Sequence, residues 1–305
     1  MKAAELLSEL RSYQAKSSEI KNEELIRKQN EVFSMVKNKD MIQKYMDNYI
    51  NDMVVTPIYN VLNEDELSKL KDVLIDNIPI DKINATTFRT DENEYLIILT
   101  NRLMGLLHTW NEIQFKINMQ ENTTKEEVSK AFAPIVDSYL TPNSNQALPI
   151  YSFEELPIEY SMLATMKTIM HEQFILAHEL AHVYLGHLND AKNISLLASD
   201  FELSNFYENT ESIKKEFEAD IQAVKWISRI KTANKCLSLY AEALVIFHYI
   251  ECNTSFPGSK ATHPASLLRL INIKDQCNDL FKNCEYTLDE MVNNCLDKES
   301  FKITH

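Results

Sequence analysis

Glycine is nearly absent from this chain: among 305 residues only Gly105, Gly186 and Gly258 occur. Tight hairpin turns need residues that accept positive φ, and glycine accepts it at least cost. Few hairpins are therefore expected, and the fold class is predicted to be mainly α with a small β hairpin or sheet. Hydrophobic residues at 45% and charged residues at 25% suit a globular protein, and the length allows a sizeable core.

Between Ile158 and Leu185 there is neither Gly nor Pro, so one long helix is expected, with Pro157 at its first turn. Near its end lies His178-Glu179-Leu180-Ala181-His182, an HExxH pattern. Residues four apart share a helix face, so both imidazoles can reach one metal ion. Glu179 sits about 100° round from His178, where a carboxylate can reach a water on that metal without displacing it. Two nitrogen ligands and a general base from one turn describe a zinc hydrolase site. The flanks, Phe174 to Ala177 and Val183 to Leu185, are apolar. Buried histidines and a buried glutamate need partners, and a metal supplies them.

A third ligand is expected at Glu216, on a helix predicted from about Ser212 to Ile230. Asp220 shares its face and can accept the free N–H of a ligating imidazole, fixing its tautomer. Glu218 points about 200° away. Ala219 and Ala223 are small, which lets another helix approach closely. His187 follows His178 by nine positions and Gly186 precedes it directly. In a continuing helix it would face away from His178, at about 180°. Gly186 is read as the helix terminator and His187 as a helix-end residue. Asp200, Glu208 and Glu211 are rival ligands without a companion at helical spacing. Further on, Thr262-His263-Pro264 follows a loop-like stretch and precedes a helix carrying Arg269. His263 on that loop is a candidate to stabilise an oxyanion or gate the site. Arg269 either anchors the loop through a carboxylate or is a solvated helix residue.

HELAH, EFEAD and THPASLLR, in this order, resemble the zincin metallopeptidases of the gluzincin type, including soluble relatives of the HtpX and BepA peptidases and the Lit phage-exclusion group. The resemblance covers roughly residues 155–275. It implies a zincin-like domain holding one Zn²⁺ on His178, His182 and Glu216. Glu179 would be the base, Asp220 the support behind the ligands, and His263 an active-site loop residue. The expected substrate is a protein or peptide. A non-cleaving zinc sensor and a protease specific for one host protein are the alternatives.

The rest of the chain bounds this reading. No uncharged apolar run is long enough to span a bilayer, and Cys236 to Ile250 reads as a core helix. With no apolar segment at the N-terminus, a cytoplasmic protein is expected, and the Lit resemblance with the Asn-, Lys- and Ile-rich composition suggests a bacterial or prophage source. The five cysteines form no CxxC pair and are expected as reduced thiols. The net charge of −14 disfavours nucleic-acid binding. An N-terminal helical region, 1–145, and a catalytic domain, 146–305, are expected to meet at the linker-like Thr141 to Asn145. Residues 1–50 and 64–76 read as helical. Ile83–Arg89 and Glu94–Thr100 read as a hairpin whose second strand is buried on both faces. Asn101 to Asn118 reads as helix. Thr124 and Glu127 form a candidate capping box, and Pro134 should kink or end that helix. The segment 189–211 is expected to cover the cleft.

Overall fold

The computed structural model describes residues 1–18, 48–78, 85–118, 157–188, 210–253, 265–284 and 286–296. Helix dominates, with one three-stranded sheet, as the scarcity of glycine predicts. Helix α1 spans Ala3–Ser18, and a π-helical turn at Ile50–Val55 runs into α2 (Thr56–Tyr59). Then come α3 (Glu64–Lys69), β1 (Val73–Ile78), β2 (Ala85–Arg89), β3 (Tyr95–Thr100) and α4 (Asn101–Asn118). Among the described residues the α-helices that follow are α5 (Ile158–Tyr184), α6 (Thr210–Ile227), α7 (Leu237–Asn253), α8 (Ser266–Cys277) and α9 (Leu288–Leu296).

β3 is the middle strand. It pairs antiparallel with β2 in the register Ala85↔Leu99 to Arg89↔Tyr95, and parallel with β1 in the register Val73↔Tyr95 to Ile78↔Thr100. The β2–β3 turn carries Asn93 at φ 61°, the left-handed conformation that Asn tolerates. Alternation along β3 splits its side chains between two cores. Leu96 and Ile98 join Phe88 and Ile78 beneath α1, while Ile97 and Leu99 face the helices.

One expectation fails in this region. Residues 64–76 are not a single helix. Asn63 and Glu66 form a reciprocal capping box that starts α3, but the helix stops at Lys69 and Val73–Ile78 is a strand. β-Branched Val73, Ile75 and Ile78 fit a pleated surface, and pairing with β3 supplies backbone hydrogen bonds that another helical turn would have made internally.

α5 forms the centre of the larger core, and α4, α6 and α7 pack on it. Its segment Phe174–Leu176 is buried, as are Ala177, Leu180, Ala181 and Val183. Ala219 and Ala223 of α6 are fully buried, so the α6 backbone can come close to α5. Trp226, also on α6, donates Nε1–H to Glu66 at 2.8 Å, tying α3 to this site-bearing helix. All five cysteines are free. Among the described residues no helix is long and apolar enough to cross a membrane. The linker at 141–145, the features at Thr124, Glu127 and Pro134, and most of segment 189–211 lie outside the described residues.

Candidate metal centre

α5 ends three residues before His187, and the ending is built from backbone hydrogen bonds. Gly186 adopts φ 72°. Its N–H donates to the Val183 carbonyl at 3.0 Å, and the His187 N–H donates to the His182 carbonyl at 3.0 Å. This pair of bonds is the Schellman ending, for which glycine at the positive-φ position is the inexpensive choice. It closes the helix one turn beyond HELAH and folds His187 back against it.

His178 and His182 project from the same face of α5, and Glu216 of α6 meets them. The two Nε2 atoms are 3.1 Å apart. Glu216 Oε2 lies 3.3 Å from His178 Nε2, and Oε1 lies 3.3 Å from His182 Nε2. One ligand atom from each residue falls within 4.8 Å of the others, and all three side chains are buried. Two imidazoles and a carboxylate converging in the interior can hold a metal ion, and the donor set fits zinc.

Behind His178 stands a buried ion pair. His178 Nδ1 is 2.9 Å from Asp220 Oδ1. Arg269 of α8 grips the same carboxylate with two bonds, Nε to Oδ2 at 2.8 Å and Nη2 to Oδ1 at 2.6 Å. Burial and the Arg269 charge push the His178 imidazole down, but Asp220 and Glu216 outweigh them and raise it to about 9. For Asp220, burial raises the pKa, while Arg269 and His178 more than compensate and leave it lowered. Arg269 is therefore a buried anchor rather than a solvated helix residue. The carboxylate it anchors sits behind the site.

His182 has a different outer partner. Its Nδ1 is 3.0 Å from His187 Nδ1, and His187 Nε2 is 3.2 Å from Glu218 Oε2. Burial first, then the charge of His182, pushes the His187 imidazole down to about 4.

Glu179 is in contact with the sheet. Its Oε2 accepts a 2.6 Å hydrogen bond from the Thr87 hydroxyl on β2. It remains partly exposed within an otherwise buried stretch of α5. A carboxylate at this position can exchange protons with a water held by the neighbouring histidine–glutamate cluster.

The structure thus brings together His178, Glu179, His182, Glu216, Asp220 and Arg269. His263, Asp200 and Glu208 lie outside the described residues. Thr87 and Glu218 complete the surroundings without having been assigned a role from sequence, and His187, expected only as a helix-end residue, joins them. A five-residue strand gives no sign of which residue it lays on a distant helix. His187 carried a signal, since the glycine before it marks a helix ending whose geometry returns the following residue toward the last turn.

Residues 153–286 match the model of a protein family described as Peptidase U49. The matched segment includes α5 with HELAH, α6 with Glu216 and Asp220, and α8 with Arg269. No curated protein and no solved structure matches the chain. The match supports a peptidase. The gluzincin subdivision and the likeness to HtpX and BepA rest on the order of the sequence motifs.

Proposed function

We propose that the chain is a zinc-dependent metalloendopeptidase acting on a protein or peptide substrate. The observation that carries this reading is the convergence of His178, His182 and Glu216 in the interior, with Glu179 one residue along the same helix. When bound there, zinc supplies Lewis acidity that polarises a carbonyl and brings the pKa of water near neutrality.

The chain's own groups do the rest. Glu179 accepts a proton from the attacking water at a carboxylate oxygen and later delivers it to the leaving amine. Thr87 holds that carboxylate in place with its hydroxyl. Asp220, pinned by Arg269, orients His178 through Nδ1. β2 lies at an edge of the described sheet and carries Thr87, so an extended substrate strand laid along β2 would pass beside Glu179. His263 remains a candidate for stabilising the oxyanion.

The test compares wild type and Glu179→Gln after zinc loading, on a peptide library covering all side-chain types, with new termini read by mass spectrometry. Wild type is expected to cleave. The variant should keep its metal and lose about 10²- to 10⁴-fold in turnover, the usual worth of a positioned general base. Undiminished cleavage by the variant would contradict the assignment.

A further inference from the structure

The two histidines of the HELAH turn are supported in different ways. His178 leans on a buried carboxylate held by an arginine. His182 leans on a second imidazole, His187, which in turn meets a half-exposed carboxylate, Glu218. The helix ending makes this possible, because the same Schellman bond that ties the His187 N–H to the His182 carbonyl sets their rings face to edge, with centroids 5.1 Å apart. Lys215 Nζ donates to the His187 carbonyl at 3.2 Å and closes the turn onto α6.

Proton positions follow from this chain of contacts. A neutral imidazole carries one N–H and one lone pair. An ionised carboxylate only accepts, so Glu218 favours the proton of His187 on Nε2. His187 Nδ1 is then an acceptor, and the nitrogen facing it, His182 Nδ1, must be the donor. That leaves the lone pair of His182 on Nε2, directed at Glu216 and His178. In the opposite arrangement the proton would sit on His182 Nε2, in the middle of the cluster, and block coordination.

We propose that His187 is a positioning residue for His182, and that Glu218, His187 and His182 form a relay fixing the tautomer in which His182 can bind a metal. The proposal rests on the metal-site reading above. It extends that reading to a residue outside the HExxH pattern and to a carboxylate on the outer face of α6.

The experiment measures zinc affinity by chelator competition, together with the visible spectrum of the Co²⁺-loaded protein, for wild type, His187→Phe, His187→Asn and Glu218→Ala. His187→Phe keeps a ring but removes the acceptor. Its zinc affinity is expected to fall about 10- to 100-fold, the usual effect of removing the partner behind a ligating histidine. His187→Asn returns an acceptor oxygen near the Nδ1 position and should restore most of the affinity and the wild-type Co²⁺ spectrum. Glu218→Ala, at a half-exposed position, leaves folding intact and should weaken zinc binding several-fold. Unchanged affinity in folded His187→Phe overturns the proposal, as does failure of His187→Asn to recover. If His187→Phe does not fold, Glu218→Ala decides, and unchanged affinity there overturns the relay. Wild-type protein that binds no zinc would instead overturn the metal-site reading itself, and this proposal with it.

Discussion

Replacing Arg269 by methionine tests how the site is held, independently of any bound metal. Asp220 is 0% exposed and Arg269 is 8% exposed, so water cannot replace the guanidinium when it is removed. The variant forfeits two charge-assisted hydrogen bonds of 2.8 and 2.6 Å and leaves the Asp220 carboxylate facing His178 alone. Breaking a buried pair by deleting one partner costs about 3–5 kcal/mol, mostly from the uncompensated charge left behind. With roughly 2.1 cal/mol/K of unfolding entropy per residue, that cost lowers Tm by roughly 5–8 °C in a chain of this length. The assay is urea denaturation of the metal-free protein, with scanning calorimetry alongside. The double variant Arg269→Met, Asp220→Asn removes both charges, and should be destabilised by less than the sum of the single changes, by about 1–3 kcal/mol. Additivity within about 0.5 kcal/mol, or a cost below about 1 kcal/mol for Arg269→Met, would refute the claim that this pair is a buried support for His178.

Other expectations follow from the same geometry. His178 titrates at about 9 in the metal-free fold against 6.5 ordinarily, so its stabilising contribution is complete below pH 6.5 and lost as pH rises through about 9. Over the same window zinc affinity should rise, because the metal displaces that proton; competition titrations at pH 6.5 and 8.5 with equal affinities would contradict this. Burial raises Glu172 to about 8, with the Tyr49 hydroxyl partly opposing, so its contribution is complete below about pH 4.5 and fades toward pH 8. Glu172→Gln should therefore gain stability over wild type at pH 8 relative to pH 5, and urea midpoints that stay parallel across that range would exclude it. Thr87→Val removes the 2.6 Å bond to Glu179 and should lower kcat roughly tenfold with little change in KM, while Thr87→Ser keeps activity. Equal kcat in the valine variant would show that the hydroxyl is idle.

Features that reside within one helix were legible in the sequence. The four-residue spacings place His178 beside His182 and Glu216 beside Asp220, and Ala219 and Ala223 announce a close helix contact. The two-faced burial of β3 shows in its uninterrupted apolar run, because alternation sends Leu96 and Ile98 to one core and Ile97 and Leu99 to the other. What escaped was long-range. The Val73–Ile78 strand forms only because β3 is beside it, and the helical start at Asn63 masks the change two turns later. Thr87 meets Glu179 across 92 positions of chain, and no local pattern encodes that meeting. Glu218 was read correctly as pointing away from Glu216, yet its side of α6 is where the turn after Gly186 lays His187. Helical periodicity says which residues share a face, whereas the neighbour across that face depends on packing.

We propose that His178, His182 and Glu216 hold a catalytic zinc ion. Metal content by mass spectrometry, on wild-type protein beside Glu216→Ala, tests it most directly. About one zinc per chain is expected in wild type and a large loss in the variant. Protein that carries no zinc after zinc is supplied, or a variant that keeps its full complement, would contradict it.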